Sequence, residues 1–167
     1  MPESQVVILG IDPGFAITGF GVILRKKDKL YPINYGCITT SKNDPFDQRL
    51  KQVHRDLKKI IKKYAPSVIA MESLFFYKNA KTAINVGQAR GVLILTASLL
   101  NVPVFEYTPL QVKQAISSYG RADKKQVQDM VKLILNLKEI PRPDDAADAL
   151  AIAVCCANFN DFSKTIN

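Results

Sequence analysis

Several residue types that commonly build functional sites are scarce in this chain of 167 residues. It contains no tryptophan, one histidine and three cysteines. Cys37, Cys155 and Cys156 show no CxxC spacing, so we expect reduced, buried thiols. A zinc site would have to be assembled almost entirely from carboxylates, which zinc sites seldom are. The scarcity points away from zinc and thiol chemistry and towards hard cations bound through oxygen.

Long hydrophobic runs and an acidic excess are also absent. No apolar stretch is long enough to span a bilayer, and the amino terminus MPESQ lacks the layout of a secretion signal. We therefore expect a cytoplasmic protein with no membrane partner. Acidic residues number 15 against 23 Lys and Arg, which gives a net charge of +8. This excess favours a polyanionic partner such as nucleic acid, although many basic proteins bind none.

Apolar patterning predicts an α/β protein with a five-stranded mixed sheet. The continuous apolar run at 5–11 is typical of a central strand covered on both faces. Pro32 cannot donate to a ladder, so the arm that contains it should be the edge of the sheet. Helical crossovers return the later strands parallel to the first. The expected strands span 5–11, 17–26, 30–40, 68–71 and 102–107.

The chain length and the 47% hydrophobic content predict one domain over 1–158, followed by a short polar tail at 159–167. An amphipathic helix is expected over 45–64, with His54 in a structural role at the edge of its apolar stripe. Thr108 and Asp123 are expected to cap two shorter helices, and DDAADALAIAVCCA predicts a final helix. The first helix should present a solvated lysine face, formed by Lys58, Lys59, Lys62 and Lys63.

A long helix is predicted over 79–100, and it carries Gly87 and Gly91 four residues apart on one face. Each glycine inside a helix costs about 1 kcal/mol relative to alanine. Close packing of that face, on the sheet or on a second subunit, would offset this cost. We therefore hypothesise that this helix forms a dimer interface.

Carboxylates stand where the predicted strands end. Asp12 ends the first strand and Glu72 ends the next parallel strand, and neighbouring strands lie about 4.8 Å apart. Asp145 and Asp148 are three residues apart at the start of the last helix. Four converging acids repel one another unless a cation lies among them, and oxygen ligands suit Mg²⁺ or Mn²⁺.

This arrangement predicts metal-assisted phosphodiester hydrolysis, with two ions that activate water and stabilise the leaving oxygen. Taken singly, each acid has a simpler interpretation as a turn residue or a helix cap. Glu106 is a further acid at a strand end that could belong to the site, whereas Asp144 is better explained as an N-cap.

Aromatic and basic residues near these acids could bind nucleic acid. Phe75 and Phe76 lie in the segment LFFYK directly after the Glu72 strand, where they either pack in the core or stack on unpaired bases. Four basic residues follow the third short strand and could hold phosphates: Lys113, Arg121, Lys124 and Lys125.

Together these segments resemble the RuvC family of Holliday-junction resolvases. The similarity runs from about 6 to 157, through LGIDPGFAITGFGV, MESLFF, KNAKTAINVGQARG, PVFEYTPLQVKQ and DDAADALAIA. It implies a ribonuclease H-like fold and a homodimer that nicks two opposing strands of a four-way DNA junction symmetrically.

The resemblance also assigns roles to individual residues. It implies that Phe75 lies near the junction crossover and that Lys113 and Lys124 are functional lysines. It further implies a RuvA–RuvB branch-migration complex as a partner. The family's metal-binding, catalytic acids fall on Asp12, Glu72, Asp145 and Asp148. Some relatives carry histidine at the third of these positions.

Three other functions remain open from the sequence. A ribonuclease H-like nuclease that acts on structured RNA would keep the fold and the acids. An actin-like ATPase shares the opening strand and hairpin but needs two such domains. A DNA-binding module without catalysis would need the acids to be misplaced.

Overall fold

The structure, a computed structural model, describes residues 5–73, 80–117 and 120–160. Its five strands form one sheet in the order β3-β2-β1-β4-β5. The pairs β1/β2 and β2/β3 are antiparallel, whereas β1/β4 and β4/β5 are parallel, so the predicted mixed sheet is confirmed. Pro32 lies in β3, an edge strand, as expected. The strands are β1 Gln5–Asp12, β2 Ile17–Lys26, β3 Lys29–Thr39, β4 Val68–Glu72 and β5 Val104–Tyr107.

Five helices connect and cover these strands, and the residues at their ends explain where several of them begin. Thr108 and Gln111 bond reciprocally, side chain to backbone, at the start of α3. Asp123 and Gln126 form the same capping box before α4, so both predicted caps are confirmed. The helices are α1 Phe46–Tyr64, α2 Ala80–Leu99, α3 Pro109–Ser117, α4 Lys124–Ile134 and α5 Asp144–Phe159.

The prediction that Asp144 is an N-cap is wrong. Pro143 occupies the N-cap position of α5, no side chain caps this end, and Asp144 is the first helical residue. Its carboxylate instead accepts from Arg142 at 2.6 Å and pairs with Lys124 at 3.1 Å. Asp144 therefore pairs with two basic side chains and does not cap the helix.

Each face of the sheet is covered by its own group of helices. Helices α3, α4 and α5 pack on one face, where Ile8 of β1 is fully buried. Helices α1 and α2 pack on the other, where the next residue, Leu9, is fully buried. Successive residues of a strand point to opposite faces, so a strand covered on both sides is apolar throughout. This explains the uninterrupted apolar run at 5–11.

Helix α5 lies unusually close to the sheet because glycines face it. A Cβ at Gly10 would lie 2.0 Å from the Ala149 carbonyl oxygen, and one at Gly19 would lie 2.0 Å from that of Asp145. Gly21 has no room for a Cβ beside Leu150. Backbone of the sheet therefore meets backbone of the helix, which fixes the height of α5 above β1 and β2.

Most residues that were predicted to have a structural role or to face solvent are found where expected. His54 Nδ1 lies 2.8 Å from Oγ1 of the buried Thr96, which joins α1 to α2 and confirms the structural role. Cys155 and Cys156 are buried and free, but Cys37 is partly exposed, so only two of the three thiols are buried. Burial raises the pKa of Cys155 to about 12. Of the predicted lysine face of α1, Lys59, Lys62 and Lys63 are exposed, whereas Lys58 is half-buried.

The chain continues as helix through Phe159, whose ring lies 6.2 Å from that of Tyr107. Arg25 donates to the Asn160 carbonyl oxygen at 2.8 Å, so the end of α5 is tied to β2. The remainder of the predicted tail, 161–167, lies outside the described residues. Among the helices that the structure describes, none is both long enough and apolar enough to cross a membrane.

Candidate active site

Two carboxylates lie at the carboxyl-terminal ends of neighbouring parallel strands. In the β1/β4 pair Ile11 lies opposite Met71, and each strand continues by one residue, to Asp12 and Glu72 respectively. Carboxyl ends of adjacent parallel strands are the usual position of a ligand site in such sheets. Asp12 and Glu72 both line one cleft of about 200 Å³.

Helix α5 adds a third carboxylate to this cleft. Asp148 lines it, one turn into α5, together with Ala151 and Ile152 of the same helix. Lys113 from α3 and Lys124 from α4 complete its charged lining. The cleft therefore combines three acids and two lysines from five different elements.

Asp145 lies beside the cleft and is not among its lining residues. Its backbone is held against Gly19, the residue that pairs with Asp12 across β1 and β2. Its charge raises the pKa of both Asp12 and Asp148. All four predicted acids therefore fall in one region, with Asp145 displaced towards β2.

Burial and mutual repulsion make this region costly for negative charge. Burial, then the charges of Asp148, Glu72 and Asp145, raise the pKa of Asp12 to about 8. Burial and Asp148 also raise the pKa of Glu72, while Lys113 opposes the shift. A carboxyl group with such a pKa holds a proton near neutral pH unless a cation is close by.

A hard divalent cation fits this donor set. Across 5–73, 80–117 and 120–160, no group of three His, Cys, Asp or Glu side chains is arranged to hold a metal ion. The acids that line the cleft nevertheless offer only oxygen donors, which Mg²⁺ and Mn²⁺ prefer. A cation would also offset the repulsion that raises the pKa of Asp12. We infer that Asp12, Glu72 and Asp148 would hold it, with Asp145 alongside.

The two lysines are placed differently within the cleft. Lys124 Nζ lies 3.1 Å from Asp144 and 3.8 Å from Asp148, so it connects the start of α4 to the start of α5. Lys113 also lines the cleft, and its charge lowers the pKa of Glu72, whereas Lys124 pairs with acids of α5. A phosphate in the cleft could therefore contact two lysines.

Other predicted nucleic-acid contacts lie away from the cleft or outside the described residues. Arg121 and Lys125 are exposed and are not among the lining residues of this cleft. Phe75 and Phe76 fall outside the described residues. These predictions stay predictions.

Glu106 lies away from the cleft and pairs with a residue that the sequence analysis missed. Arg90 of α2 pairs through Nη2 with the Glu106 carboxylate and donates through Nη1 to the Glu72 carbonyl oxygen at 2.9 Å. Glu106 is absent from the described lining of the cleft. The only sequence signal for Arg90 was its place in KNAKTAINVGQARG, one of the segments that carry the family resemblance.

A family model described as crossover junction endodeoxyribonuclease RuvC matches residues 8–156. This chain belongs to the RuvC family. The match covers most of the chain, and it confirms the predicted family and the predicted class of enzyme, an endodeoxyribonuclease.

Curated relatives agree. RuvC of Brevibacillus brevis is 54% identical over 155 residues, which cover 93% of this chain and 93% of the relative. RuvC of Halothermothrix orenii is 56% identical over 153 residues, which cover 92% and 93%. Both are named crossover junction endodeoxyribonuclease RuvC.

Solved structures confirm the ribonuclease H-like fold. RuvC of Thermus thermophilus in complex with a Holliday junction substrate superposes with a TM-score of 0.87 at 39% identity, covering 91% of this chain and 93% of that one. The yeast mitochondrial Holliday junction resolvase Ydc2 has a TM-score of 0.63 at 17% identity and covers 96% and 84%, which supports the fold alone.

Proposed function

We propose that this protein resolves Holliday junctions by metal-dependent hydrolysis, placing paired, symmetric nicks in two opposing strands during recombination and repair. The observation that carries the proposal is the cleft in which Asp12, Glu72 and Asp148 meet Lys113 and Lys124. The chain belongs to the RuvC family, and its Thermus thermophilus relative is described in complex with a Holliday junction substrate. Family membership also argues against the ATPase and RNA-nuclease alternatives.

The acids and the lysines of the cleft have different roles in the proposed reaction. Two Mg²⁺ or Mn²⁺ ions held by the acids would supply the charge that activates water and stabilises the leaving oxygen. The described lining contains no serine, cysteine or histidine, and water activated by the metal ions would serve as the attacking group. Lys113 and Lys124 hold the phosphate between them, and the fixed height of α5 keeps Asp148 aligned with the strand ends.

A homodimer accounts for one face of α2. Three large apolar side chains of this helix are exposed, and a Cβ at Gly87 or Gly91 would meet nothing within 4 Å in the described chain. Exposed, contiguous apolar surface marks interaction sites. A twofold interface would place two identical clefts at related positions, as symmetric nicking needs. The exposed apolar side chains are Ile84, Leu95 and Leu99.

The remaining assignments follow from this role. Phe75 acts near the junction crossover, Phe76 also contributes to DNA binding, and Arg121 and Lys125 contact phosphates beyond the cleft. The enzyme acts in the cytoplasm, on junctions supplied by a RuvA–RuvB branch-migration complex. The catalytic domain extends over the predicted 1–158 and also includes Phe159, the last residue of α5.

The deciding experiment incubates the protein and Asp12→Asn with a labelled mobile four-way junction, a linear duplex and an RNA–DNA hybrid, with Mg²⁺ or Mn²⁺. We expect paired, symmetric nicks on the junction alone. Asp12→Asn should abolish cleavage and retain junction binding, because it removes a metal ligand and no phosphate contact.

The other outcomes are equally informative. Cleavage of the RNA hybrid alone would keep the metal site and overturn the substrate. Tight junction binding by the wild-type protein without cleavage would leave only a recognition module. If Asp12→Asn lost binding together with cleavage, circular dichroism would show whether the variant had unfolded.

A further inference from the structure

The side chain of Arg90 links α2 to the metal-binding edge of the sheet. It is only 12% exposed and makes two charge-assisted contacts, one to the Glu106 carboxylate and one to the Glu72 carbonyl oxygen at 2.9 Å. These acceptors lie on neighbouring strands, β5 and β4. Arg90 therefore spans the end of the β4/β5 pair from the α2 side.

The contact falls on the backbone of a residue whose side chain lines the cleft. Glu72 is the last residue of β4, and the next amide, that of Ser73, donates to the Tyr107 carbonyl oxygen at 2.8 Å. The carbonyl oxygen of Glu72 itself accepts from Arg90. Arg90 thus completes the hydrogen bonding of the peptide on which the Glu72 carboxylate is mounted.

The shape of arginine suits this position. Its planar guanidinium presents several donors in a fixed fork, so it can serve a carboxylate and a carbonyl at once, whereas lysine offers a single mobile ammonium. Glu106 is 49% exposed, yet its partner is nearly buried. Glu106 therefore sets the orientation of the guanidinium, and the guanidinium sets the position of the Glu72 backbone.

We propose that Arg90, oriented by Glu106, is a positioning residue that aligns the carboxylate of Glu72 for metal binding. Arg90 is not among the residues that line the cleft, and it contacts one of them, Glu72, only at the backbone carbonyl oxygen. The proposal rests on the proposed function for the identity of the metal site. It assigns a role to Glu106, the acid that sequence reasoning could not place.

The test compares Arg90→Gln, Arg90→Lys and Glu106→Gln with the wild-type chain. Arg55→Gln is the matched control, because Arg55 is exposed on α1 and pairs only locally with Asp56 among its described ion pairs. Mn²⁺ binding is measured by electron paramagnetic resonance on the protein without DNA. Cleavage rate, junction affinity and the Mn²⁺ concentration for half-maximal cleavage are then measured with the junction.

Partners that orient metal ligands typically contribute 10- to 100-fold to metal affinity or activity. We therefore expect Arg90→Gln to weaken Mn²⁺ binding about 10-fold and to raise the half-maximal Mn²⁺ concentration by the same factor. Junction affinity should change less than about threefold. Arg90→Lys should recover part of the loss, since lysine can serve one of the two acceptors. Glu106→Gln should have a smaller effect, and none in the Arg90→Gln background.

Unchanged Mn²⁺ binding in Arg90→Gln would overturn the proposal, and so would a loss confined to junction affinity. If Arg90→Gln fails to fold by circular dichroism, Glu106→Gln carries the test, because it keeps the shape of the side chain. The DNA-free Mn²⁺ measurement also separates the two proposals. A wild-type chain that binds Mn²⁺ but cuts no junction would sink the proposed function and leave the role of Arg90 testable.

Discussion

The two faces of the sheet use glycine in opposite ways. On the α5 face, Gly10 and Gly19 leave no room for a Cβ, because the backbone of α5 fills the space. On the other face, Gly87 and Gly91 of α2 border open space within the described chain. Glycines covered by their own chain fix internal geometry, whereas the uncovered glycines of α2 lie on the apolar helix face that we propose as the dimer interface.

The largest effect should come from Gly19→Ala. The added methyl would lie 2.0 Å from the Asp145 carbonyl oxygen, so α5 must shift or β2 must bend. Overpacking of this kind costs about 3 kcal/mol, which lowers the melting temperature by roughly 10 °C in a chain of this size. Cleavage should fall with it, because Asp145 and Asp148 move. Calorimetry and a junction cleavage assay measure both, and wild-type stability would contradict the close approach of α5.

Gly91→Arg should disrupt the proposed dimer interface on α2. A charged side chain in the middle of the apolar α2 face would have to be buried without a partner in a dimer. We expect the dimer dissociation constant to rise at least about 100-fold, measured by sedimentation velocity. Gln48→Arg, on the exposed surface of α1, is the control and should leave the dimer intact. A dimeric Gly91→Arg variant would place the interface elsewhere.

The lysines of the two faces should also differ. Lys113 and Lys124, on the α5 face, line the cleft, whereas Lys59 and Lys62 are exposed on α1 across the sheet. Replacing the first pair by glutamine should reduce the slope of log affinity against log salt by about 2, one unit for each lysine that no longer neutralises a phosphate. The same change in the second pair should leave the slope unchanged. Equal slopes for the two double variants would argue against phosphate binding by Lys113 and Lys124.

The smallest effect, and the sharpest comparison, is Gly91→Ala. Alanine is favoured over glycine in a helix by about 1 kcal/mol, and nothing in the described chain obstructs its Cβ. The free energy of unfolding of the dissociated chain should therefore rise by about this amount in urea titrations at low protein concentration. A glycine-to-alanine substitution would thus raise the stability of the chain at Gly91 and lower it at Gly19. A loss of stability in Gly91→Ala would show that the α2 glycine is covered by its own chain.

Sequence patterns predicted the sheet order at its centre and edge because both depend on local chemistry. An apolar run covered on two faces and a proline that cannot donate are visible residue by residue. Asp12 and Glu72 were predictable for the same reason, since each follows a buried strand directly. Asp148 needed only the assumption that the last helix crosses the strand ends.

Contacts between distant segments could not be predicted. Nothing in the spacing of Gly10 and Gly19 shows that α5 will lie on them, because that depends on which face each glycine occupies after pairing. The engagement of Glu106 by Arg90 likewise joins residues brought together only by the packing of α2 on the sheet. Asp144 was misassigned because Pro143 provides the extended residue before α5 and leaves Asp144 for cations.

The burial of Cys155 and Cys156 within α5 has a practical consequence. Burial raises the pKa of Cys155 to about 12, so this residue stays a thiol at neutral pH, whereas the thiolate is the form that oxidants and alkylating agents attack. The two thiols of the helix that carries Asp145 and Asp148 should therefore resist peroxide and alkylating agents, so exposure to these reagents should leave the packing of α5 on the sheet intact.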